Sequence, residues 1–81
     1  MAEHKIVVEI FGDQYPLKSD DDAAYVRELA DLVDRTMREV AQKTHSLSAS
    51  KISVLTSLQL ADEYLRLKKD YEELMQLMDE K

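Results

Sequence analysis

The sequence predicts an α+β fold: an N-terminal β-hairpin, one amphipathic helix, and then a long C-terminal helix that forms an intermolecular coiled coil. Three observations support this expectation. A β-branched segment alternates near the N-terminus, the apolar period becomes helical from residue 23, and a heptad pattern follows residue 57. Because a chain of 81 residues buries only a small core by itself, we also expect a partner chain.

The first predicted element is a β-strand in the segment KIVVEIF, which begins at Lys5. The segment is rich in β-branched residues, and apolar side chains recur at every second position. One face of the strand is formed by Ile6, Val8 and Ile10, and the other by Val7, Glu9 and Phe11.

A tight turn and a second, shorter strand are expected next. Gly12 and Asp13 suit a two-residue hairpin turn, in which glycine takes the positive φ. Tyr15 and Leu17 continue the apolar alternation. Pro16 has no N–H to donate, so it should lie at a sheet edge or point its nitrogen away from the first strand.

The segment SDDDAAY, residues 19–25, places three aspartates behind a serine. Adjacent side chains diverge on a helix or a strand, and the segment lacks the spacing and glycine of a calcium-binding loop. We interpret it as a helix start instead, with Ser19 and Asp22 forming a capping box. Asp20 and Asp21 would then lie against the positive end of the helix dipole.

The first helix is predicted from Ala23 to Lys43. Its apolar stripe is Val26, Leu29, Ala30, Val33, Met37, Val40 and Ala41. The opposite face carries charges of alternating sign at spacings of four, which support a helix: Arg27, Asp31, Arg35 and Glu39.

The second helix is predicted to begin at Ala49, with Ser48 as its N-cap, and to run close to the C-terminus. Between Ile52 and Leu67 apolar residues cover most of its circumference, as in a helix buried on several sides. The heptad a and d positions, hereafter the seam, are Ser57, Leu60, Tyr64, Leu67, Tyr71, Leu74 and Met78.

The seam gives the predicted domain organisation and assembly. Residues 1–56 would form a head that includes the start of the second helix, and residues 57–81 a coiled-coil region. Glu63 and Lys68 would face each other across a parallel dimer, which favours that orientation. The expected oligomer interface is Leu60, Tyr64, Leu67, Tyr71, Leu74 and Met78.

Composition excludes several function classes. A formal net charge of -6 does not suit a protein that neutralises nucleic-acid phosphates. The N-terminus has only a short apolar run interrupted by Glu9, so we expect neither a signal peptide nor a membrane span. Neither His4 nor His45 has a neighbour that would activate it, and a single glycine makes a phosphate loop implausible. We expect no catalytic residue, no cofactor and no metal ligand.

In its order of elements, the sequence resembles the ZapA family of bacterial cell-division proteins. Two segments carry the resemblance, IVVEIFGDQYPLKSDDD and LSASKISVLTSLQLADEYLRLKK. The resemblance implies a cytoplasmic, non-enzymatic dimer or tetramer that binds the tubulin-like GTPase FtsZ. Such a protein would cross-link or bundle FtsZ protofilaments and promote Z-ring assembly at midcell.

The resemblance also implies a partner surface made of charged residues on the head. The matching positions here are Arg38, Lys43, His45 and Lys51, which would suit an acidic filament surface. A cation in the last turn of a helix, such as Lys43, also complements the helix dipole. The alternative function is a small prefoldin-like holdase, which would leave the apolar end of the second helix free for unfolded clients.

Overall fold

The computed structural model describes residues 3–45 and 47–79. The elements are β1 (His4–Ile10), β2 (Asp13–Ser19), α1 (Ala23–Lys43) and α2 (Ala49–Asp79). The predicted order of hairpin, helix and long helix is therefore confirmed. At ~1.5 Å per residue, α2 is about 46 Å long, and the whole molecule is flat, measuring 51 × 43 × 14 Å.

The hairpin turn consists of Phe11 and Gly12, because Ile10 pairs with Asp13 in the antiparallel sheet. Both turn residues have positive φ, 53° and 87°, which is the pattern of a type I′ turn that fits the strand twist. The predicted turn, Gly12 and Asp13, was wrong by one residue. Phe11 is held in this conformation by the hydrogen bond that its N–H donates to Asp34 in α1.

The two strands are covered unequally. Directly opposed residues share a face, so Leu17 lies beside Ile6 and Tyr15 beside Val8. The helix α1 packs against β1, and Ile6 and Val8 are buried. Tyr15 and Leu17 remain 44% and 39% exposed on the same face. The inner face of β2 is therefore only partly covered by its own chain.

The predicted capping box at the start of α1 is wrong. Asp22 is the N-cap residue, and its side chain makes no capping hydrogen bond. Ser19 ends β2 opposite His4, and its Oγ accepts a hydrogen bond from the Asp21 N–H at 2.9 Å. His4 Nε2 lies 2.9 Å from the Asp21 carbonyl oxygen. Strand pairing thus holds Ser19 too far ahead of the helix to cap it, and the first turn of α1 contains no acidic residue.

The core consists of two adjoining clusters. The first joins the hairpin to the N-terminal half of α1 through Ile6, Val8, Val26 and Ala30. The second joins α1 to α2 through Met37, Val40 and Ile52. Leu29, which the apolar stripe included, is 45% exposed, because it lies about 100° around the helix from Ala30. The predicted charged face of α1 is exposed.

The start of α2 agrees with the prediction. The Lys51 N–H donates a hydrogen bond to Ser48 Oγ at 3.2 Å, and the Ile52 N–H donates to the Ser48 carbonyl at 3.0 Å. Burial does not agree: among the described residues of α2, only Ile52 and Thr56 are buried, and residues 61–79 are all exposed. One hairpin and one helix are too small to surround the apolar segment that begins at Ile52.

Candidate self-association and partner-binding surfaces

The Asp34 side chain joins the hairpin turn to α1. Its Oδ1 accepts a hydrogen bond from the Phe11 N–H at 2.7 Å, and its Oδ2 accepts one from Arg38 Nε at 3.0 Å. The Arg38 guanidinium also lies 5.9 Å from the centre of the Phe11 ring. The Phe11 N–H, and then Arg38, hold the pKa of Asp34 below its usual value. This cluster was not predicted, because nothing in the local sequence connects residues 11 and 34.

The four predicted partner-binding residues do not form a single cluster. Lys43 ends α1, His45 lies in the connection to α2, and Lys51 lies in the first turn of α2; all three are exposed. Arg38 is five residues before Lys43, which corresponds to about 140° around the helix and ~7.5 Å along it. Arg38 therefore faces the hairpin turn, whereas the other three lie around the α1–α2 connection.

The predicted oligomer interface forms one continuous stripe along α2. Leu60 lies partly inside the head. The remaining five residues are between 55% and 70% exposed: Tyr64, Leu67, Tyr71, Leu74 and Met78. A stripe of large apolar side chains with this exposure is typical of an interaction surface.

A groove of about 360 Å³ opens between the hairpin, α1 and α2. The part of α2 that lines it includes Ser53, Ser57 and Leu60, which lie on the same side of the helix as the seam. The Thr56 hydroxyl, also in the groove, is buried without a hydrogen-bond partner. The remaining lining residues are Ile10, Phe11, Asp13, Tyr15, Leu17, Val33, Met37 and Ala49.

Sequence reasoning did not identify this groove. The signal in the sequence was the apolar pair Tyr15 and Leu17 in β2. The single amphipathic helix α1 can cover one strand of the hairpin, so a second apolar strand indicates a face that needs another cover.

Within the described ranges, 3–45 and 47–79, no group of three or more His, Cys, Asp or Glu side chains is placed to hold a metal ion. No helix in these ranges is long and apolar enough to cross a membrane.

Comparison with known protein families gives a match over most of the chain. Residues 6–81 match the family model described as Cell division protein ZapA. A protein of that name from Geobacillus sp. (strain WCH70) is 35% identical over 79 residues, covering 94% of this chain and 91% of the relative. Another, from Bacillus mycoides (strain KBAB4), is 38% identical over 77 residues, covering 95% and 86%.

Two solved structures have similar folds. One is described as a ZapA mutant dimer from Geobacillus stearothermophilus, with a TM-score of 0.76 and 32% identity, covering 99% of this chain and 93% of that one. The other is an unknown conserved bacterial protein from Pseudomonas aeruginosa PAO1, with a TM-score of 0.78 and 22% identity, covering 94% and 85%. The second similarity concerns the fold alone.

Proposed function

Because this chain belongs to the ZapA family of cell division proteins, we propose that it is a cytoplasmic, non-enzymatic adaptor that binds FtsZ at midcell. It would cross-link or bundle FtsZ protofilaments and so promote Z-ring assembly. The observation that carries the proposal is the exposed seam of α2, which extends beyond the head as a surface for a second copy.

The first step is self-association in parallel along the seam. Burying a large apolar side chain fully is worth roughly 1.5 to 3 kcal/mol, and five such side chains lie exposed on one stripe. A relative at 32% identity is described as a dimer. Both observations support a homodimer held by Leu60, Tyr64, Leu67, Tyr71, Leu74 and Met78.

The second step is bivalent attachment to the filament. We propose that residues 1–56 form the head and residues 57–81 the coiled-coil region; residues 1–2, 46 and 80–81 lie outside the described part of the structure. A stiff helix pair would hold two heads at a fixed separation. Once one head is bound, the effective concentration of the second head at a neighbouring FtsZ subunit is high. The dimer can therefore cross-link filaments by using the same head surface twice.

The FtsZ-binding surface would lie around the α1–α2 connection. Lys43, His45 and Lys51 are exposed there, in a protein whose net charge is -6. A local basic surface would attract an acidic filament. Arg38 belongs to the same proposal, but its ion pair with Asp34 gives it a structural role as well.

Co-sedimentation with FtsZ polymers in the presence of GTP tests the binding surface. Wild-type protein is expected in the high-speed pellet, and Lys43→Glu and Lys51→Glu should each reduce the pelleted fraction. Lys69→Glu is the matched control, because Lys69 is exposed on α2 on the side opposite the seam. The proposal is wrong if wild-type protein stays in the supernatant across a range of ionic strengths.

A second candidate function is supported by the end of α2. Leu74, Met75, Leu77 and Met78 are exposed within one chain, as they would be in a prefoldin-like holdase. The two functions differ in what covers these residues: unfolded clients in a holdase and copies of the chain in an adaptor. Suppression of the aggregation of an unrelated unfolded protein would favour the holdase.

A further inference from the structure

We infer that each head is completed by the other copy: a ridge on α2 of one protomer, formed by Val54, Leu58 and Leu65, packs under the partner's Tyr15 and Leu17. The inference rests on the parallel dimer of the proposed function. It goes beyond that function because a seam of a and d residues leaves Leu58, Leu65, Tyr15 and Leu17 uncovered and shields Val54 only in part.

The head occupies one side of its own α2. With Leu60 at position d of the heptad, Ile52 is at c and Thr56 is at g. These are the two residues of α2 that the chain buries. Each head therefore lies on the c and g flank of its own helix, beside the seam.

The opposite flank of α2 carries exposed apolar side chains. Val54 is at position e, and Leu58 and Leu65 are at position b; they are 58%, 63% and 59% exposed. A two-stranded coiled coil buries its a and d residues and partly shields e and g, but b positions face water. Two leucines at b therefore predict a further cover in the upper part of α2.

The symmetry of a parallel dimer places the two flanks side by side. The g flank of one helix lies beside the e flank of the other, and residues with the same number lie at the same level along the coil. Since each head lies on its own c and g flank, it is adjacent to the e and b flank of the partner helix. Val54, Leu58 and Leu65 of one copy thus lie next to the head of the other.

The head presents an apolar surface to the partner helix. Tyr15 and Leu17 line the groove of about 360 Å³, and 44% and 39% of their surfaces stay exposed within their own chain. Two small residues on the seam side of α2 lie inside the groove, Ser57 of the seam and Ser53 at the preceding d position, so a second helix can approach closely there. An apolar surface and an apolar ridge at the same level are complementary, which selects a second copy as the occupant.

The first test is the dimer dissociation constant, measured by sedimentation velocity. Leu58→Glu should raise it by about tenfold or more, because the charge would be buried at two symmetric sites. Gln76→Glu adds the same charge at an exposed position on the side of α2 away from the seam, and should leave it unchanged. Leu17→Glu should weaken the dimer as Leu58→Glu does.

The second test uses the absence of cysteine from the chain. A tagged chain carrying Leu17→Cys is mixed with an untagged chain carrying Leu58→Cys, and the mixture is oxidised. A disulfide-linked heterodimer is expected, whereas Leu17→Cys mixed with Gln76→Cys should give none.

An unchanged dissociation constant for both glutamate variants, or no heterodimer across residues 17 and 58, would overturn this inference and leave the seam dimer standing. A wild-type protein that is monomeric would instead remove the proposed function itself.

Discussion

The Asp34 carboxylate accepts a hydrogen bond from the backbone N–H of Phe11, across 2.7 Å and 23 residues of sequence. Phe11 has a φ of 53°, a conformation that is costly for a bulky residue. The bond from the middle of α1 holds this turn residue in place, and the turn in turn sets the direction of β2. The position of Tyr15 and Leu17 therefore depends on Asp34.

Replacing Asp34 with alanine should lower the temperature of thermal unfolding, because the Phe11 N–H loses its acceptor and the turn its anchor. The matched control is Asp62→Ala. Asp62 also pairs with an arginine four residues later, at 2.9 Å, but it is 57% exposed against 23% for Asp34 and holds no backbone N–H. Circular dichroism melts of the two variants test this, and an equal effect of both substitutions would contradict it.

The contribution of Asp34 should depend on pH in the acid range. Its pKa lies below the usual 3.8 in the folded protein, owing to the Phe11 N–H and Arg38. Since the folded-state pKa is the lower one, the stabilisation is fully present above the unfolded-state pKa and is lost as pH falls through the folded-state value. The stability difference between wild type and Asp34→Ala should be constant at neutral pH and shrink below about pH 4. Urea unfolding at a series of pH values measures this stability difference. A difference that grows on acidification would contradict the proposed role of the Asp34 carboxylate.

Gly12→Ala should destabilise the hairpin through its backbone alone. Gly12 has a φ of +87°, and an added Cβ would meet no atom within 4 Å. The cost is therefore conformational, about 1 to 2 kcal/mol. Gly12→Asn should cost less, because asparagine tolerates positive φ better. Equal unfolding free energies for the alanine variant and wild type would show that the turn does not require glycine.

The sequence predicted those elements whose local pattern decides their structure. Ile6 and Val8 face α1 as the strand alternation requires, and Ser48 caps α2 because its hydroxyl is next to the first helical turn. The turn was misplaced because a Phe at positive φ depends on Asp34, which is remote in sequence.

The predicted cap at Ser19 failed for a related reason. Pairing with His4 keeps this residue in β2, and no local pattern reveals a pairing that distant. The groove was missed because it lies between the hairpin, α1 and α2. Its existence depends on how these three elements pack, which no local sequence pattern shows.

A double substitution near the end of α2 tests assembly beyond the dimer. Met75 at e and Leu77 at g widen the apolar stripe beside Leu74 and Met78, so we expect a concentration-dependent equilibrium between dimer and tetramer. Leu74→Glu combined with Met78→Glu should remove the tetramer first and leave dimers. Light scattering coupled to size exclusion measures the mass. Gln76→Glu is the control, and a double variant with unchanged mass would exclude this surface.

Low-speed sedimentation of FtsZ polymers tests the central claim that a two-headed assembly cross-links filaments. Wild-type protein should bring FtsZ into the low-speed pellet as bundles. A variant carrying Leu67→Glu and Tyr71→Glu, which breaks the seam below the head, should bind single polymers and pellet with them only at high speed. If this variant, once sedimentation velocity shows it to be monomeric, bundles FtsZ as strongly as wild type, or if wild type produces no bundles, the bivalent adaptor is contradicted.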